Sequence, residues 1–329
     1  MILDIVMLIG GIVILVVGGE ILVGGAENIA YGMKISPLVV GLTVVAFGTS
    51  APEMIISISS ALSGNDAISF GNVVGSNICN LGLVMGITAL IYPIKVGEKS
   101  IKIDWMVMIG SAMLFYFFIS KDYALKRFEG IIFLFIIIIY TYFLLKMSRQ
   151  ETAAAEEKGE GTEEKPPEIK GLGLLKQIGL FVVGCVLLYV GADLLFMKGA
   201  IGLSDKLFPD NPEATRIVGL TVVALGTSLP ELVASSIAAL KKETDLAIGN
   251  LFGSCIFNIL SILGVTSLVK DLHDNTHSIV NSDMLWMIGI TVLIFPLMLI
   301  RRKIGKPEGI ILLLFYVVYI GYLILTGRS

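Results

Sequence analysis

The chain has 329 residues, 55% of them hydrophobic and only 16% charged, with a formal net charge of −3 and a mean hydropathy of +0.89. Soluble globular proteins carry about 25% charged residues, so this composition cannot coat a water-facing surface and indicates a polytopic membrane protein. No basic cluster with interleaved aromatics points to nucleic acid. Cys79, Cys185 and Cys255 all fall inside apolar runs, which reads as small buried side chains rather than a disulfide framework.

A membrane-crossing helix needs about 20 mainly apolar residues, and ten segments qualify. The first, Ile2–Tyr31, begins Met-Ile-Leu-Asp with no basic residues before it, so it reads as a span and not as a cleaved signal. Pro37–Leu62, Phe70–Ile94, Trp105–Ser120 and Glu129–Met147 follow. From Arg149 to Lys170 runs a polar stretch with Glu151, Glu156, Glu157, Glu160, Glu163, Glu164, Glu168, Pro166 and Pro167. It has no apolar period and is expected to be a solvated linker. Leu174–Leu203, Ile217–Leu240, Ala247–Val269, Met284–Ile300 and Gly309–Thr326 complete the set, with His273 and His277 in a polar surface loop.

The chain repeats itself. Residues 39–53 read VVGLTVVAFGTSAPE and residues 217–231 read IVGLTVVALGTSLPE; residues 71–80 read GNVVGSNICN and residues 249–258 read GNLFGSCIFN, at the same offset. GGEILVGGA around Glu20 resembles GADLLFMKGA around Asp193, with the changed spacing absorbed near Pro209–Glu213. The expected plan is all-α: a five-helix repeat over 1–148, a linker over 149–172 and a second five-helix repeat over 173–329. An odd number of spans per repeat inverts the second half, which gives a pseudo-two-fold axis in the membrane plane. With both termini outside, the inner loops collect Lys34, Lys95, Lys99, Lys102, Lys241, Lys242, Arg301, Arg302, Lys303, Lys306 and the linker. This is the basic side that faces the cytoplasm, and the compact plan suits a prokaryotic plasma membrane.

Ionisable residues deep in an apolar span are costly and are read first as functional. Glu53 and Glu231 lie midway through their spans, in matching motifs. Two buried carboxylates brought together repel, and one divalent or two monovalent cations remove the conflict. Pro52 and Pro230 lack the N–H that would bond Gly48 and Gly226 four residues back, so the helix should loosen here and expose carbonyls near Ala46 and Ala224. Thr49, Ser50, Thr227 and Ser228 add hydroxyl oxygens. Ligation by oxygen alone with two carboxylates suits calcium and also sodium.

Asn72, Ser76 and Asn80 recur every four residues, on one helical face, and Asn250, Ser254 and Asn258 repeat the stripe. Ser76, Asn80, Ser254 and Asn258 are read as ligands or water holders; Asn72 and Asn250 stay open between ligation and helix packing. Gly71, Gly75, Gly249 and Gly253 are expected to allow close helix approach. Glu20, Glu27 and Asp193 are expected to snorkel or to pair with loops. The glycines around Glu20 and Asp193 suggest long, smooth helices able to slide.

The two GTS-x-PE segments, each followed by GN-x-x-GS-x-x-x-N, resemble the alpha repeats of the sodium/calcium exchanger family, within the cation/calcium antiporter superfamily. The likeness covers nearly the whole chain. It implies cation ligation by Glu53, Glu231, Thr49, Ser50, Thr227, Ser228, Ser76 and Ser254 and by the carbonyls of Ala46 and Ala224, with Asn80 and Asn258 in the remaining polar places. Potassium-dependent relatives carry Asp where this chain has Asn258, which argues against potassium co-transport. The implied activity is antiport of Na+ against Ca2+ in the lipid bilayer, without cofactor, ATP or obligate protein partner. The family's usual count of three sodium ions per calcium would be electrogenic. Three rival readings are a proton/calcium antiporter, a cation channel and a membrane enzyme. The first typically has a carboxylate soon after the GN, where this chain is apolar or small. The second does not need a site walled by inverted repeats. The third needs a nucleophile–base pair or metal cluster, and both histidines are far from the motifs.

Overall fold

The computed structural model describes residues 1–157, 171–207, 226–275 and 277–326. Helix α1 (Ile2–Met33) is followed by α2 (Pro37–Thr49) and α3 (Ala51–Leu62), which meet at a 47° bend. Then come α4 (Asp66–Ile91), α5 (Ser100–Asp122) and α6 (Arg127–Glu157). The second half holds α7 (Leu172–Leu203), α8 (Leu229–Leu240), α9 (Thr244–Val269), α10 (Ile279–Arg301) and α11 (Lys306–Thr326). Eight of these helices are long and apolar enough to span a bilayer, and the bent α2–α3 pair makes a ninth crossing. Of the predicted span Ile217–Leu240, the described part is residues 226–240, including α8.

Helices α4 and α9 form the centre. Their apolar windows are 72% and 78% buried, against 22–39% for the other full-length spans. The outer helices turn large apolar side chains outward, such as Ile9 and Val16 on α1 and Phe135, Ile138 and Tyr142 on α6. Only lipid accepts such a surface.

Two short ribbons close the ends of the bundle. β1 (Ile94–Lys95) pairs antiparallel with β4 (Lys303–Ile304), and β2 (Ala124–Leu125) with β3 (Leu272–His273). In the sequence repeat β1 corresponds to β3 and β2 to β4, so the two ribbons are one motif made twice. They sit at opposite ends of α5, as an inverted repeat requires. The basic ribbon is tied by charge: Glu98 pairs with Lys102 at 2.5 Å and with Arg302 at 3.8 Å. Lys102 first and Arg302 with it hold the Glu98 carboxyl below its ordinary range.

The linker expectation needs correction at its start. Residues 149–157 continue α6 as helix, because Gln150, Glu151, Ala153 and Ala154 are strong helix formers that need no apolar stripe to extend a helix already nucleated in the membrane. Glu151 pairs there with Lys99. The rest of the predicted linker, up to Lys170, lies outside the described residues.

Close approach decides the central crossing. A Cβ on Gly249 would stand 2.5 Å from the Leu38 carbonyl oxygen, and one on Gly253 would stand 2.7 Å from Leu42 Cα. So α9 lies backbone to backbone on α2. For Gly71 and Gly75, also expected to allow close approach, a Cβ meets nothing within 4 Å among the described residues. Helices α1 and α7 also run in backbone contact, with a Cβ on Gly11, Gly18 or Gly25 meeting main-chain atoms of α7 at 2.8–3.0 Å.

Gly249→Val should cost about 1–3 kcal/mol by overpacking. Thermal unfolding of the purified protein in detergent should show a clear drop for it. Gly110→Ala, at an exposed helical position with open space around its Cβ among the described residues, should be neutral or stabilising.

Candidate functional site

Glu53 lies in the first turn of α3 and Glu231 in the first turn of α8, each one residue after a proline. The residues before these helices, Ser50 and Ser228, share one conformation: φ −90°, ψ 8° and φ −92°, ψ 3°. Proline fits the start of a helix, where its missing N–H has no partner to lose. The GTS-x-PE segment therefore breaks one helix and begins another inside the membrane, twice. The positive end of each new helix then sits beside its own carboxylate, which favours negative charge.

The two halves meet directly. Ser50 Oγ, from the first repeat, donates to Glu231 Oε1 at 2.9 Å. Glu53 and Glu231 interact through their charges, and Thr49 and Ser254 flank the Glu231 carboxylate. Glu53, Glu231, Thr49, Ser50, Ser76, Asn80, Thr227, Ser228, Ser254 and Asn258 are all buried. Both Glu53 carboxylate oxygens, Glu231 Oε2, both Asn80 amide atoms and Asn258 Oδ1 are buried without a hydrogen-bond partner among the described residues. Such atoms are costly in a protein interior. Two buried carboxylates within reach of each other's charge, with the Ser50, Thr49 and Ser254 hydroxyls beside Glu231, fit a hard cation, which takes oxygen from carboxylate and hydroxyl alike.

The backbone behaves differently from expectation at Ala46. Its carbonyl is not set free but accepts the Ser50 N–H at 3.0 Å, with the Thr49 hydroxyl at 3.5 Å. The break falls at Ser50, one turn later, because the proline constrains the carbonyls closer to itself. Ala224 lies outside the described residues.

Asn72 and Asn250 behave as braces. Asn72 Nδ2 donates to the Glu53 carbonyl at 3.0 Å and to Ser57 Oγ at 2.9 Å. Asn250 Nδ2 donates to Ser235 Oγ at 2.9 Å, and its Oδ1 accepts from Thr49 at 3.2 Å. Ser57 and Ser235 were missed in the sequence, although each follows its glutamate by four residues in both repeats. Wide π-type turns begin at Asn80 (Asn80–Val84) and Asn258 (Asn258–Leu263), a feature frequent at functional sites. Two further buried groups escaped notice: Asn77, and Asp104, whose Oδ1 accepts from the Tyr140 hydroxyl at 2.8 Å.

Glu20 pairs with Lys241 at 2.7 Å on the surface, as expected of a snorkelling group. Glu27 lies near Glu243. Asp193 differs from expectation: it sits on a wide turn of α7 (Val190–Met197), half-buried and within Coulombic reach of Glu53.

Apolar spanning helices, with helices broken beside buried carboxylates, fit a multi-pass membrane transporter. The family described as "Sodium/calcium exchanger protein" matches residues 3–146 and 176–325, and the chain belongs to that family, the cation/calcium antiporters. It is 36% identical to the putative antiporter CaxA of Alkalimonas amylolytica, over 94% of this chain and 95% of that one. It is 31% identical to the sodium/calcium exchanger MaX1 of Methanosarcina acetivorans, over the same shares. A solved structure of the sodium-calcium exchanger NCX_Mj, soaked with 2.5 mM Na+ and 1 mM Sr2+, superposes with a TM-score of 0.80 at 30% identity and covers 98% of each chain.

Asn250→Ala would strip partners from the buried hydroxyls of Thr49 and Ser235 and should cost about 1–3 kcal/mol. Glu20→Gln, which removes an exposed ion pair, should cost less than about 1 kcal/mol. Unfolding of both variants under one set of conditions compares them directly.

Proposed function

We propose that the chain exchanges Na+ for Ca2+ by alternating access at one midplane site. The observation that carries this reading is the Ser50–Glu231 bond between repeats, with Glu53 alongside in a buried, oxygen-rich cluster. The ligands are Glu53, Glu231, Thr49, Ser50, Thr227, Ser228, Ser76, Ser254, Asn80 and Asn258, with the Ala224 carbonyl and the second lone pair of the Ala46 carbonyl, whose first accepts the Ser50 N–H, as the family resemblance implies. The two five-helix repeats, 1–148 and 173–329, form its two walls. The name of MaX1 and of NCX_Mj as sodium/calcium exchangers supports the choice of ions.

Charge gives the mechanism. Two unneutralised carboxylates in a low-dielectric core oppose closure of the site around them. One Ca2+ or two Na+ balance them, so either load permits the site to pass between the two membrane faces, while the doubly charged empty site does not. Both ions need the same oxygens, hence they compete and exchange. In this reading the α1–α7 pair, joined along its glycine contacts, slides past the core as access changes sides.

We place the protein in the plasma membrane with both termini outside and the linker in the cytoplasm, because the Lys99, Lys102, Arg301, Arg302 and Lys303 side carries most of the basic charge. In intact cells expressing a Cys185→Ala background, an Asp122→Cys variant should react with an impermeant maleimide. A Lys303→Cys variant should react only after permeabilisation. The opposite pattern would invert the topology.

Calcium-45 uptake into proteoliposomes tests the transport reading. Uptake should require internal sodium, fail with internal potassium, and fall to background in Glu53→Gln. Uptake driven equally well by a proton gradient without sodium would overturn sodium coupling.

A further inference from the structure

Asn77 stands outside the repeat symmetry, since its counterpart in the second repeat is Cys255. Both are buried where α4 crosses α9. Each side chain reaches the other's backbone: Asn77 Nδ2 donates to the Cys255 carbonyl at 3.3 Å, and Cys255 Sγ lies 4.0 Å from the Asn77 carbonyl oxygen. A carbonyl oxygen can only accept, so the end of the Asn77 amide facing it is the NH2. Met287 Sδ, a weak acceptor 3.5 Å away, agrees with that orientation.

The polarity then passes along a chain of amides. With its NH2 committed, Asn77 turns Oδ1 toward Asn258 and accepts from Asn258 Nδ2 at 3.1 Å. Asn258 is left with its own Oδ1 as the other end, and that oxygen is buried without a hydrogen-bond partner among the described residues. Asn80 has no such guide. The residue standing to it as Asn77 stands to Asn258 is Cys255, whose side chain has no carbonyl to accept from an amide. Both Asn80 amide atoms are buried and without a partner among the described residues.

We propose that Asn77 is a positioning residue that, through Asn258, fixes a neutral carbonyl oxygen toward the carboxylate cluster. One wall of the site is then a set oxygen donor and the opposite wall, at Asn80, an amide free to turn. The inference rests on the cation-site reading above. Without Asn77 the Asn258 amide can rotate by half a turn. Its NH2 would then face the carboxylates, donate to them and compete with the cation for the same oxygens. The repeat-breaking asparagine thus makes the two halves of a symmetric site inequivalent toward a hard cation.

A double-mutant cycle on the full-length purified protein tests this, with calcium-45 binding as the readout. Asn77→Cys, which installs the residue that the other repeat already packs at this crossing, should weaken calcium binding about fivefold to tenfold, the size of one lost oriented hydrogen bond. Asn258→Ala should weaken it at least as much. The combined variant should bind no more weakly than Asn258→Ala alone, because both changes remove the same oxygen. Asn77→Cys combined with Asn80→Ala should show multiplied effects. If Asn77→Cys does not yield monodisperse protein, Asn77→Ser enters the same cycle. Multiplied effects of Asn77 and Asn258, or unchanged affinity in the Asn77 variant, would overturn the proposal. Glu53→Gln in the same assay separates the two levels. Undiminished binding there removes the cation-site reading itself, whereas a Glu53-dependent site without Asn77–Asn258 coupling removes only the role of Asn77.

Discussion

Two carboxylates held together in the low-dielectric middle of a membrane set the terms for the rest of this structure. Charge at that depth is costly unless something balances or solvates it, and the fold answers with local devices at each glutamate. A helix starts inside the membrane, so its positive end lies beside the carboxylate. A proline in that first turn permits the start without a wasted N–H. At Glu231 a serine hydroxyl also crosses from the other repeat, from Ser50, whereas Ser228 Oγ and both Glu53 carboxylate oxygens have no hydrogen-bond partner among the described residues. Helices α4 and α9 then approach closely enough to bring amide and hydroxyl oxygens to the same place, and backbone contact at Gly249 and Gly253 lets α9 sit that deep. Irregular backbone at this depth is tolerated because it is buried in protein and never meets lipid.

The scaffold is symmetric and its details are not. The two ribbons form the same pairing at the two ends of the bundle, and the Asn72–Ser57 brace has its counterpart in Asn250–Ser235. Such repetition could supply the two related arrangements that the proposed alternating access requires. Against this background Asn77 opposes Cys255, and α7 carries a wide turn at Asp193 where α1 is regular helix. Under the role proposed for Asn77, such departures would make the two halves of the site unequal toward a bound cation.

Much of this was legible in the sequence because membrane solvation leaves few choices. Apolar runs of spanning length had to be helices, and nine of the predicted spans agree with described helices to within about five residues, except that α6 runs on to Glu157; of Ile217–Leu240 only residues 226–240 are described. Glu53 and Glu231 stood out because a carboxylate in such a run is rare, and the duplicated GTS-x-PE motif named their neighbours. Fine geometry was harder to read. The proline signal located the break only to within a turn, so the Ala46 carbonyl was expected to be free when it accepts the Ser50 N–H. Ser57 and Ser235 are ordinary serines until their asparagine partners arrive from another helix.

The sequence by itself determined the membrane setting, the duplicated plan and the chemical character of the centre, because hydropathy, repetition and buried charge are properties of the chain read in order. The tertiary structure decided which polar groups face one another and which way each amide points. Asn77 shows why. Its Nδ2 is directed by the Cys255 carbonyl and its Oδ1 by the Asn258 amide, partners distant in sequence that meet only where α4 and α9 cross. No local pattern encodes that meeting, since hydrogen-bond direction is fixed by neighbours in space rather than neighbours in the chain.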